Sequence, residues 1–173
     1  MNRELNRSTG ARTIAIVRVA TGVIFLFFGE YKIAGPEWAH GGFEEWIHGF
    51  VNDGAAVGFY KPFLVHIVLV HPALFAWMTG LGEFAIGLSL VSGFFVRGAS
   101  LGGGFLMINL ALATWFGPGH GVALWRYFGA NLAHIPLLFL FAIFFATRAG
   151  DTWGLDGWLL TRSQRHAKKG SLT

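Results

Sequence analysis

The sequence predicts an all-α integral membrane protein: a four-helix bundle with N-in/C-in topology and an amphipathic helix in its first outer loop. Three observations carry that expectation. Of 173 residues, 54% are hydrophobic and only 13% charged, against about 25% charged in soluble domains. The apolar residues gather into four runs, each close to the roughly 20 residues that cross a bilayer. The charges collect at the ends of those runs, with a sign asymmetry that sets direction. A net charge of +4 and a pI near 9.9 would also suit nucleic acid. Placement at span ends describes instead a basic rim against membrane lipid, so no nucleic-acid partner is expected. The length suits one domain, 1–173. The chain has no cysteine, so it holds no disulfide, thiolate metal site or thiol relay of its own.

Span one covers about 13–33. Arg3, Arg7 and Arg12 precede it and resemble the start of a signal peptide, but Arg18 interrupts the apolar stretch and no clear small-residue cleavage site follows. It is read as a retained span. Span two covers about 73–95. The eleven residues before it, PFLVHIVLVHP (62–72), are too short to span alone. They could extend span two outward through a kink at Pro72, re-enter the membrane, or lie on its surface. Span three covers about 98–116 and span four about 127–147. A basic tail, 148–173, carries Arg148, Arg162, Arg165, Lys168 and Lys169 against Asp151 and Asp156.

The first loop, 34–61, carries Glu37, Glu44, Glu45 and Asp53 against Lys61. Basic ends and an acidic first loop put both termini inside. The loops 34–61 and 117–126 then face outside, which in a bacterium means a multi-pass protein of the inner (cytoplasmic) membrane with periplasmic loops. Within the first loop, Phe43, Trp46, Ile47 and Phe50 recur at i, i+3, i+4, i+7, the face of an amphipathic helix. That face either lies on the outer leaflet or packs on the bundle as a lid. Gly80 with Gly87, and Gly98 with Gly102, place small residues where helices approach closely. The run Gly102-Gly103-Gly104 should loosen the start of span three.

Glu83 is the only charged residue of the apolar run 73–96. A carboxylate at that depth costs about 2.5–3.5 kcal/mol on insertion scales, so it should face a partner, a cavity or a substrate. Counting along each span places Glu30 and Lys32 near the outer end of span one and Arg18 near its inner end. Glu83 lies about 15 Å into span two. Asn109 and His134 fall at similar depth on spans three and four, and Asn131 shares a face with His134. The set combines acids (Glu83, Glu30), a base (His134), a cation (Lys32) and amides (Asn109, Asn131). It suits a carbonyl-bearing lipophile such as a quinone, with Glu83 or His134 relaying protons. It equally suits interhelical hydrogen bonds and ion pairs with no further role. Arg18 is expected to snorkel to the headgroups. Two histidines at matched depth would be needed for haem, and His71 lies too near the outer surface to join His134; haem is not expected. His40, His48 and His120 fall in loops, and no metal motif is present.

Three segments carry a resemblance: RVATGVIFLFFGEYK (18–32), GLGEFAIGLSLVSGFFVR (80–97) and GDTWGLD (150–156). Their pattern is an Arg opening span one, a Gly and a Lys closing it, a Gly-x-Glu in span two with a downstream Gly and Arg, and the tail motif. In this the chain resembles the DoxX/DoxD family of small four-span bacterial membrane proteins. The resemblance implies a four-helix membrane bundle and, in the DoxD branch, the small subunit of a thiosulfate:quinone oxidoreductase. By motif position it implies that Arg18, Lys32, Glu83 and Arg97 are the characteristic polar residues. Without cysteine, any sulfur relay would belong to a partner subunit. The expected function is therefore a membrane subunit of a quinone-linked oxidoreductase, with quinone as substrate and other subunits, or a second copy, as partners. Glu83 and His134 are the expected catalytic pair; Lys32, Asn109, Asn131, Arg18 and Glu30 are the expected substrate-binding residues. The alternative is a non-catalytic scaffold that recruits redox partners. A small transporter is a third class, less favoured because no interrupted-helix pair is evident.

Overall fold

A computed structural model describes residues 2–115 and 131–170, with side chains for 8–115 and 131–165. Among the described residues there are helices and turns and no strand. Helix α1 (Asn2–Ala34) is followed by a single 3-10 turn (Trp38–His40) and α2 (Gly42–Asn52). A short α3 (Lys61–Phe63) continues as one π-helical turn, Leu64–Val68. Then come α4 (Pro72–Ser92), α5 (Val96–Ala113), α6 (Asn131–Ala146) and α7 (Leu155–Gly170). Three helices are long and apolar enough to cross a membrane: Ser8–Ala34 within α1, α4 and α5. The described part of the expected fourth span is the 16-residue apolar helix α6. Residues 127–130 and the loop 117–126, with His120 and Arg126, lie outside the described residues.

α1 and α4 run antiparallel and very close. A Cβ on Gly29 would stand 2.5 Å from the backbone of Phe84, and one on Gly87 would stand 2.7 Å from the nitrogen of Leu26. Real side chains do not fit at such separations, so glycine permits the contact that small-residue faces provide in membranes. Gly80, expected on that face, packs against Lys32; Gly22 and Gly29, its counterparts on α1, belong to the same seam. Gly103 does not loosen α5. It makes room for the Phe141 ring of α6, and Phe141 in turn meets Phe25 of α1 edge-on at 5.3 Å. One core therefore takes Phe25 from α1, Ile86 and Leu90 from α4, Val96 and Met107 from α5, and Phe141 and Phe144 from α6. The outward faces keep large apolar groups exposed, among them Phe27 at 70%, Phe105 at 71% and Phe139 at 64%. Water would not favour such a belt; acyl chains would.

A second core closes the end where α1 stops and α4 starts, the lid end. Here the face predicted for the first loop packs inward: Phe43 and Ile47 are buried with Ala76 of α4 and Ala113 of α5. Of the two readings of α2, the structure adopts the lid. Trp38, Trp46 and Phe50 stack in series against it. The segment 62–72 is not a straight extension of α4. His71 leaves helical geometry at φ −133, ψ 56 before Pro72 opens α4. Leu64 and Val68 turn into the lid core, while His66, Ile67 and His71 are exposed.

Candidate functional site

Buried charge appears at both ends of the α1–α4 pair. At the lid end, Lys32 Nζ donates to both carboxylate oxygens of Glu83, each at 2.6 Å. The two side chains are only 12% and 6% exposed, so water screens them little. α1 and α4 meet at Gly29 and Gly80, and that approach lets a lysine near the end of one helix reach a glutamate inside the other. The Trp38 ring lies 4.9 Å from the ammonium, in cation–π range. The Trp38 indole N–H donates to the carbonyl of Ala76 at 3.2 Å and so fixes the ring in place.

Two further polar pairs stand near this end. The Tyr60 hydroxyl donates to Asn109 Oδ1 at 2.5 Å, and Asn109 Nδ2 donates to the carbonyl of Phe105. Burial pushes the Tyr60 phenol up to about 12, so it stays neutral and donating through the physiological range. On α6, His134 Nδ1 lies 3.3 Å from Thr114 Oγ1. Asn131 Nδ2 donates to the carbonyls of Thr114 at 3.1 Å and Trp115 at 3.5 Å. Both amide hydrogens are thereby used, which fixes the amide orientation. Asn131 Oδ1 is buried and has no donor among the described residues.

The expected site residues thus separate into groups. Lys32 and Glu83 are one ion pair. Asn131 and His134 share a face, as their spacing predicts, and meet through Thr114. Asn109 is held by Tyr60. Glu30 is exposed and makes no ion pair among the described residues. Arg18 is not with them, nor does it snorkel. It is fully buried, 0% exposed, midway along α1 and level with the end of α4. Its guanidinium donates to the carbonyls of Ala149 at 2.8 Å, Trp153 at 3.2 Å and Thr152 at 3.5 Å. Asp156, from the same tail motif, accepts from the backbone N–H groups of Phe95 at 2.8 Å and Val96 at 3.1 Å. It supplies the anionic cap that the first turn of α5 needs. Arg97 lies over the Phe145 ring at 4.4 Å.

Sequence reasoning missed Trp38, Tyr60 and Thr114. Trp38 and Tyr60 sit in a loop whose path is not periodic, and Thr114 is a single polar residue at a span end. Only Asp156 carried a signal, through its place in the 150–156 motif.

Three spanning-length helices and lipid-suited outer faces define a multi-pass membrane protein. The family model for DoxX matches residues 13–118, more than half of the chain, and the protein belongs to the DoxX family. No curated protein and no solved structure matches it.

Proposed function

We propose that this DoxX protein is a four-span, N-in/C-in subunit of a bacterial inner-membrane oxidoreductase that handles quinone, with the lid end facing the periplasm. The observation that carries the reading is the buried Lys32–Glu83 pair under Trp38, with Thr114, Asn131 and His134 forming a second polar group. The donor set suits the substrate. Quinone oxygens accept hydrogen bonds and quinol hydroxyls donate them. Lys32 has a third N–H beyond the two given to Glu83, and His134 can present an N–H or a lone pair. Asn131 Oδ1 is a buried acceptor with no donor among the described residues, and a hydroxyl would satisfy it where a carbonyl would not. Quinone conversion couples two electrons to two protons. The electrons come from a partner subunit. This chain's residues orient the ring oxygens and move protons, with Glu83 exchanging a proton while Lys32 holds it in place. The polar groups lie about 15 Å or less from the lid end by helical rise, so proton exchange runs toward that face.

Glu83→Gln keeps size and a hydrogen bond to Lys32 but cannot carry a proton. In membranes holding the assembled complex it should lower quinone-dependent turnover about 100-fold, with insertion and abundance unchanged. Full turnover in that variant overturns the reading. The closed geometry of the Lys32–Glu83 pair favours a second reading, a scaffold subunit whose buried charges hold helices together. Co-purification of a soluble redox partner with unchanged turnover in Glu83→Gln would select it.

A further inference from the structure

The tail end carries a second polar site that the quinone reading does not use. A cavity of about 630 Å³ opens between the end of α4 and the first turns of α7. Its lining includes the exposed rings of Trp153 and Trp158, the hydroxyl of Thr161, the guanidinium groups of Arg162 and Arg165, and Asp151. Ser92 and Leu155 complete the wall beside Gly154 and Gly157, so Asp151 is the one acidic side chain in a lining that holds two arginines.

The site is held from beneath. Arg18 takes the carbonyls of Thr152 and Trp153, turning those acceptor oxygens toward α1. The Asp156 amide donates to the carbonyl of Gly93 at 2.9 Å, which ties α7 to the last residue of the α4 turn. Trp153 adopts φ 53, a left-handed conformation costly for an aromatic residue. The result is an indole 65% exposed beside the cavity. The strain would relax if the tail were free; the buried Arg18 contacts keep it in place. Arg162 stacks 5.3 Å from the Trp158 ring, so its guanidinium is pre-positioned along the wall.

Position and charge say what the cavity takes. It lies level with the ends of α4 and α5, where headgroups begin. Leu155, Leu159 and Leu160 on α7 are exposed, as an interfacial helix requires. Two arginines against one aspartate leave a single excess positive charge, matching the single negative charge of a phosphodiester. Exposed tryptophans are the side chains that settle at the headgroup level. We infer that this cavity binds the phosphodiester headgroup of an anionic phospholipid, with Arg162 and Arg165 on the phosphate and Trp153 and Trp158 against the glycerol backbone. The inference concerns the opposite end of the molecule from the quinone reading and stands independently of it.

The full-length protein reconstituted in phosphatidylcholine vesicles, doped with brominated phosphatidylglycerol or brominated phosphatidylcholine, tests it through tryptophan quenching. The anionic lipid should quench with an apparent preference of about fivefold. Trp153→Phe/Trp158→Phe should remove the preferentially quenched signal, placing it at this cavity. Arg162→Gln/Arg165→Gln should bring the preference close to unity, and both residues are exposed enough to be replaced without disturbing the core. Equal quenching by the two lipids in the unmodified protein overturns the inference. So does loss of the preference on adding inorganic phosphate, which would assign the cavity to the free anion.

Discussion

Arg18 and Lys32 lie on one helix, about 21 Å apart by helical rise, and the protein buries them by different means. Lys32 meets an opposite charge, Glu83, across the glycine seam with α4. Arg18 meets no carboxylate at hydrogen-bond distance. It meets three neutral carbonyls of the tail. An ammonium is a compact point charge, and a guanidinium is a planar fork with five donors. The first suits a pair that can exchange protons or hold a ligand. The second suits reading the path of a backbone segment. The two ends of the α1–α4 contact therefore differ: one holds a buried ion pair beneath a lid, and the other fastens the tail.

The largest effect expected from that contrast is at the lid end. Lys32→Met leaves the Glu83 carboxylate buried without its partner and should cost about 3–5 kcal/mol, read by reversible unfolding in micelles. The double variant Lys32→Met/Glu83→Leu should recover most of that loss, because two apolar residues replace the pair. A single-variant cost under about 1 kcal/mol, typical of an exposed ion pair, would mean that water reaches the pair and would break the comparison. At the tail end, Arg18→Met strands carbonyls and no charge, so a smaller cost of about 2–3 kcal/mol is expected. Its signature is local: proteolysis between residues 148 and 156 should accelerate while the α1–α4 pairing persists. If Arg18→Met cost more than Lys32→Met, the tail would be the greater source of stability.

The smallest effect sharpens the lid itself. Tyr60→Phe removes one hydrogen bond to Asn109, worth about 1 kcal/mol. The folded phenol titrates near 12, above the roughly 10 of an exposed tyrosine. Its contribution is therefore complete below about pH 10 and is lost as pH rises toward 12. The Phe variant should lack that alkaline decline, a difference visible in unfolding curves taken across the same range.

Much of this was legible in the order of residues. The Phe43, Trp46, Ile47 and Phe50 face was periodic and did become a buried face, though periodicity could not say whether lipid or protein would cover it. The i, i+3 spacing put Asn131 and His134 on one face, and both meet Thr114, whereas Asn109, counted to the same depth as His134, bonds Tyr60. Arg18 defeated the same arithmetic. Snorkelling is the default for a cation near a span end. The tail segment that satisfies it lies more than 130 residues away in sequence, at Ala149 to Trp153. The glycine run 102–104 misled for a related reason: glycine weakens an isolated helix, but Gly103 sits under a ring from α6 and tightens the packing there.

Sequence alone determined that this protein is α-helical and membrane-spanning, that it belongs with DoxX by its motifs, and that Glu83 must face a partner, a cavity or a substrate, since bare hydrocarbon penalises a carboxylate. Only tertiary structure decided which partner. Lys32 and Arg18 were both available on α1, and the antiparallel register set by Gly29 and Gly87 brings Lys32 to Glu83 while leaving Arg18 level with Gly93 and the tail. Composition and hydropathy are sums over neighbours in the chain, so they carry class and depth. Register depends on close contact between distant glycines, and no local pattern contains it.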